Sequence, residues 1–183
     1  MQIADPDFPI TAIVYTDGAA FETYLCEITR AMTESGLRLA GLVQHRIARP
    51  GRRKCDMVLR DLATGTRHPI SEDRGPLARG CVLNTDLLLR ACVAAEASLS
   101  SRTELLVLCK FGKTEVEGGG VRGLIVHALD LGVSVLIGVP AINLAAFRTF
   151  AGGLARELTL APYSVEEIPS ASMFRDYLTT EPG

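Results

Sequence analysis

The residues best suited to chemistry lie in the run Cys109-Lys110-Phe111-Gly112-Lys113-Thr114-Glu115. Lys110 and Lys113 stand three apart around Gly112, which lets a ligand approach the backbone closely. That pattern suits an oxyanion, with Glu115 or Glu117 orienting the lysines or accepting a proton. A second group is basic: the stretch HRIARPGRRK from His45 to Lys54 contains Arg46, Arg49, Arg52 and Arg53, and guanidinium forks match phosphate and other tetrahedral oxyanions. The third is Tyr15 to Thr23 (YTDGAAFET), where Asp17, Gly18 and Thr23 open a helix. Free amides and the positive end of a helix dipole attract anions at such a turn. Each group has a plainer reading: surface ion pairs on a loop, an exposed basic segment that favours solubility, and a turn that only closes the fold.

The elements that position these groups follow from hydrophobic periodicity. Ile10 to Tyr15 is a short β-branched run, and Phe21, Leu25, Ile28 and Met32 line one face of a helix from Ala19 to Ser35, with Gly36 where a C-terminal cap belongs. Leu37 to Gln44 reads as a second strand, which predicts a parallel pair with a right-handed crossover. His45 to Lys54 is expected to be an exposed loop, and Asp56 to Leu62 with Thr66 to Ile70 an antiparallel hairpin. After the polar loop Ser71 to Gly80, Asn84 or Thr85 caps a helix running to about Ser98. Glu104 to Cys109 and Val133 to Val139 are continuous apolar strands of the kind buried on both faces of a parallel sheet. Between them lies a glycine-rich loop, Phe111 to Gly120, and a helix from about Val121 to Leu131. A last helix is expected from about Asn143 to Leu158, followed by an irregular tail with one short helix near Met173 to Leu178. The predicted fold is α/β: a three-layer, open, mainly parallel sheet with a β-hairpin insertion after the second strand. A single domain is expected over residues 1–183, with its core at 10–160 and a tail at 161–183. Ligands of such sheets gather at the C-terminal strand ends, where the run Cys109 to Glu115 falls.

Composition narrows the partners. With 48% apolar and 22% charged residues the chain has enough apolar surface for a core, and its net charge of −2 argues against a broad grip on nucleic acid or anionic lipid. Tryptophan is absent and aromatics are 5%, so stacking platforms for single strands are scarce. No stretch reaches the roughly 18 apolar residues of a membrane span. Met1 to Pro9 lacks a basic segment followed by an apolar one, and the expected compartment is the cytoplasm. Five widely spaced cysteines with no CxxC pair predict reduced thiols, and the spacings of His45, Cys55, His68 and Cys81 match no compact zinc pattern. An anionic small molecule is the expected partner, with self-association left open.

A phosphate loop of the GxxxxGK-Ser/Thr type is absent. With helix starts aligned, Glu22 takes the lysine place, Phe21 the preceding glycine place, and Thr23 alone retains the hydroxyl. A carboxylate there repels triphosphate. Even so, the run from Ile13 through Val43, the hairpin CDMVLRDLATGTRHPI, the loop RGPLARGC and the strand with loop LLVLCKFGKTEVEGGG resemble an uncharacterised bacterial domain family. That family is in turn similar to P-loop nucleoside-triphosphatases that hydrolyse nucleotides slowly and with broad specificity. The resemblance covers roughly residues 10–160 and implies a P-loop NTPase-like fold. In those enzymes the central strand ends in an acidic pair, serving magnesium and water activation, followed by Ile-Gly-Lys-Met-Glu. Here the pair is Cys109 and Lys110. Members of the family also resemble proteins named for molybdenum transport, which implies molybdate or tungstate as an alternative ligand.

Phosphoryl transfer depends on a lysine, magnesium and a water-orienting group, so their joint loss predicts a protein without triphosphatase activity. The leading expectation is a cytoplasmic protein that binds an anionic small molecule, nucleotide or oxyanion through Lys110, Gly112, Lys113 and the arginines of 46–53, with Asp17, Gly18 and Thr23 lining the first turn. The alternatives are a hydrolase with a rearranged site, a different chemistry with Glu115 as base and Cys109 as nucleophile, a molybdate- or tungstate-handling accessory protein, and a protein interaction module.

Overall fold

Seven strands form one sheet in the computed structural model, which describes residues 7–48, 55–72 and 82–160. In chain order the elements are β1 (Ile10–Tyr15), α1 (Gly18–Glu34), β2 (Leu39–Ala48), β3 (Cys55–Asp61), β4 (Arg67–Pro69), β5 (Ser71–Glu72) and β6 (Val82–Leu83). They continue with α2 (Thr85–Ser98), β7 (Leu105–Leu108), α3 (Lys113–Val116), α4 (Arg122–Asp130), β8 (Ser134–Pro140), a 3-10 turn at Ala141–Asn143, α5 (Leu144–Ala151) and β9 (Ala155–Thr159). The sheet order is β4-β3-β2-β7-β8-β1-β9. The five strands from β2 to β9 in that order are parallel, and β3 and β4 are added antiparallel at one edge.

The layers follow from which faces are apolar. The all-buried β7, LLVL, lies between β2 and β8, where only a fully apolar strand is covered on both sides. Phe21, Leu25, Ile28 and Met32 of α1 pack with Ile13, Val43 and Val107 on one face. On the other, Leu88, Ala91 and Ala95 of α2, Leu124 and Ile125 of α4 and Phe147 of α5 pack with Leu42, Leu106 and Ile137. The caps agree with the sequence: Asn84 accepts a hydrogen bond from Leu87 N at 3.0 Å and starts α2. Among the described residues no helix is long and apolar enough to cross a membrane.

Four local expectations are corrected. β1 and β2 are parallel, but β7 and β8 lie between them. β2 runs on to Ala48, because β3 pairs with it throughout, His45 opposite Val58 and Arg46 opposite Met57; residues 45–48 are strand and not loop. The last helix ends at Ala151, where Gly152 adopts a left-handed cap at φ 59, and the chain returns as edge strand β9 beside β1. Finally, β5 and β6 form a separate two-stranded pair at the ends of the segment read as a polar loop. The short helix expected near 173–178 lies outside the described residues.

Candidate functional site

The first strand-to-helix turn is short and full. Only Thr16 and Asp17 separate β1 from α1. Asp17 Oδ1 accepts from Ala19 N at 2.9 Å and Ala20 N at 3.1 Å, so the amides that would greet an anion already have a carboxylate. The Thr23 hydroxyl donates to Ala19 O at 3.1 Å, and Gly18 is the first residue of α1. The Phe21 ring stacks on Tyr15, centroids 4.2 Å apart and 2° from parallel, and covers Gly138 of β8, where any Cβ would overlap the ring. The space left between Tyr15, Phe21, Glu22, Leu25, Gln44, Cys109 and Lys110 is about 10 Å³, which is room for about one water. Glu22 is held by Gln44, whose Nε2 donates to Glu22 Oε1 at 3.1 Å.

Beyond β7 the chain is pinned at several points. Cys109 N donates to Leu42 O at 2.9 Å, Phe111 N donates to Gly138 O at 2.8 Å, and Asn143 Nδ2 donates to Phe111 O at 2.9 Å. Phe111 is fully buried, edge-on to Phe147 at 5.3 Å. It anchors the loop and leaves Lys110 and Lys113 on either side of the anchored segment. Glu115 turns inward, contrary to its expected place beside the lysines: its Oε2 accepts from Gly112 N at 2.7 Å and its Oε1 from Val121 N at 2.9 Å. A buried carboxylate needs such donors, and these two close the loop into a ring. Gly120, at φ +62, makes this fit, since a Cβ there would overlap the carboxylate. Glu117, in contrast, faces out and pairs with the exposed Lys113 at 3.6 Å. The Lys110 stem lies against Gly112, where a Cβ would sit 3.6 Å from Lys110 Cε.

Next to this loop a cleft of about 180 Å³ opens between β3, α2 and the start of α4. Its walls are Met57, Leu59, Ile70, Leu83, Leu88 and Val121, and Gln44, Cys109, Lys110, Gly112, Lys113, Thr114 and Glu115 border it. Burial pushes the Cys109 thiol up to about 11, with Lys110 partly opposing. At neutral pH it is a thiol and a poor nucleophile, and with both Glu115 oxygens engaged the pairing of Cys109 as nucleophile with Glu115 as base loses its support. On the other sheet face Cys26 Sγ is 3.8 Å from His45 Nδ1. Burial raises the Cys26 value, while burial and then Arg60 and Arg67 lower that of His45, which favours the neutral pair. Among the described residues no cluster of three His, Cys, Asp or Glu is placed to hold a metal ion. Arg46 lies on β2 opposite Met57; Arg49, Arg52 and Arg53 are outside the described residues.

The structure thus brings together Lys110, Gly112, Lys113 and Glu115 and keeps Asp17, Gly18 and Thr23 occupied with the start of α1. The sequence reading missed the apolar walls, because leucine and isoleucine at a site look the same as core. It also missed Gln44, whose one signal is an amide directly after the apolar run Leu39 to Val43 and which is almost fully buried.

Comparison with known proteins agrees with this architecture. Residues 10–167 match the family described as "Protein of unknown function (DUF2478)". A stretch of 149 residues is 30% identical to "Molybdenum import ATP-binding protein ModC 2" of Bradyrhizobium diazoefficiens; it covers 81% of this chain but only 17% of that protein's length. The crystal structure of THEP1 from the hyperthermophile Aquifex aeolicus aligns with a TM-score of 0.55 at 17% identity, over 91% of this chain and 95% of that one. The fold is P-loop NTPase-like, with a mostly parallel seven-stranded sheet.

Proposed function

The chain belongs to the DUF2478 family, and we propose that it is a non-hydrolysing cytoplasmic protein that binds an anionic small molecule at the C-terminal end of β7. One contrast carries this reading: the gap among Tyr15, Phe21, Glu22 and Lys110 holds only about 10 Å³, whereas the cleft bordered by both Lys110 and Lys113 holds about 180 Å³. A P-loop enzyme cradles phosphates on the amides of its first turn and draws on a lysine and magnesium there. In this chain Asp17 occupies those amides, Phe21 fills the space and Glu22 stands in the lysine place. Around Gly112 the chain instead offers two lysines, Lys110 and Lys113, on a loop fixed by Phe111 and by Glu115, whose two oxygens already accept from backbone amides; an anion there would compete with Glu117 for Lys113.

The test is direct. Purified protein with magnesium and ATP or GTP is expected to release no phosphate above the buffer rate. Anions added in turn are expected to raise the melting temperature, because a ligand that binds only the folded state stabilises it by mass action. Lys110→Ala and Lys113→Ala should each remove most of that shift. Magnesium-dependent turnover would overturn the non-hydrolysing reading; unchanged melting with every anion would overturn the binding reading. A second reading, a molybdate- or tungstate-handling accessory role, is favoured by the name of the Bradyrhizobium relative, and a shift specific to those two oxyanions would support it.

A further inference from the structure

We propose that the anion bound at the end of β7 carries a compact apolar group, of about the size of a phenyl ring or a branched alkyl chain, which seats in the neighbouring cleft. This rests on the anion-binding reading above. The ligand class is a small aromatic or branched-chain carboxylate or monophosphate.

Three features define this class. The first is size: the cleft holds about 180 Å³. An engineered apolar cavity of about 150 Å³ accepts benzene, whereas sites for larger ligands run from about 300 Å³ upward. One ring or short branch fits, and a nucleoside does not. The second is wall chemistry. Leu59, Ile70, Leu88 and Val121 are all buried and held by β3, the segment after β4, α2 and the start of α4. A bare oxyanion would leave these walls wet and gain nothing from them, while an apolar group would release that water. The third is charge placement. Lys110 and Lys113 border the cleft together with Glu115, whose oxygens are taken up by the amides of Gly112 and Val121. Lys113 is highly exposed and pairs with Glu117, so a head group that displaces Glu117 can stay partly hydrated while the body is buried.

The experiment compares phenyl phosphate, benzoate, inorganic phosphate, molybdate and benzyl alcohol by calorimetric titration. Phenyl phosphate or benzoate is expected to bind about tenfold or more tighter than inorganic phosphate, the gain expected from burying one ring. Which of the two binds tighter assigns the head group. Filling the cleft with Leu83→Phe, or with Met57→Phe should the first variant fold poorly, is expected to bring phenyl phosphate and benzoate down to the affinity that inorganic phosphate shows on the same variant. If phenyl phosphate, phosphate and molybdate bind alike and the filled variants behave as wild type, the apolar-group inference fails and the anion reading stands. If benzyl alcohol binds as tightly as phenyl phosphate and Lys110→Gln has no effect, or if no anion binds at all, the anion reading itself fails.

Discussion

The two carboxylate oxygens of Glu115 hold the amides of Gly112 and Val121 and so close the loop beyond β7. By residue type, a glutamate among lysines and glycines is a base or a cation partner. Its inward direction depends on Gly120 being left-handed, and three consecutive glycines do not say which of them takes the conformation that makes room. Glu115→Ala leaves two buried amides without acceptors and is expected to cost about 2–4 kcal/mol of stability by urea unfolding. Gly120→Ala combines backbone strain with overlap against the carboxylate and should cost a similar amount, about 2–4 kcal/mol. At Cys109 the folded state holds its proton to about pH 11, above the ordinary thiol value of 9.0. The unfolded chain loses that proton first, so the stabilisation is complete below pH 9 and declines as pH rises towards 11. Alkaline unfolding curves should therefore flatten over that interval in Cys109→Ala, and iodoacetamide labelling of Cys109 should be slow at about pH 8 and accelerate towards pH 11.

At the scale of elements, the parallel strands, α1, α2, α4 and the hairpin are legible because each has a continuous apolar run or a clean helical face with a recognisable cap. The misses occur where tertiary pairing or one backbone conformation overrides the local pattern. Leu154 and Leu158 are four apart and extend the face of α5 on paper, but the left-handed Gly152 ends the helix, and ARELT pairs with β1 as a half-exposed edge strand. Likewise the basic residues after Gln44 suggest a loop, although the ladder to β3 carries β2 through Ala48. Arg148 of α5 fastens β9 by donating to both oxygens of Glu157 at 2.8 Å. The hydrogen bond from Arg148 holds the Glu157 carboxyl below its ordinary value. This contribution is present above pH 4.5 and lost as pH falls further, and because solvent screens the exposed pair, Arg148→Ala should change stability only slightly at pH 7. Gly152→Ala should cost about 1 kcal/mol, from the strained left-handed cap.

Over the whole molecule, a P-loop NTPase-like sheet combines with a first turn in which Asp17 accepts from the opening amides of α1 and Phe21 covers Gly138. The charges of Glu22 and Lys110 are legible in the sequence; the filling of space is not, since it depends on Phe21 lying over Gly138 and stacking on Tyr15. Restoring charge alone should therefore fail: Glu22→Lys is expected to leave phosphate affinity, tracked by thermal shift, unchanged. The most direct test of anion binding beyond β7 is an amide chemical-shift map of the ¹⁵N-labelled protein titrated with phenyl phosphate. The largest perturbations are expected over Cys109 to Glu115, with Gly18 to Phe21 unmoved. Perturbations centred on Gly18 to Phe21, with the loop after β7 silent, would contradict it.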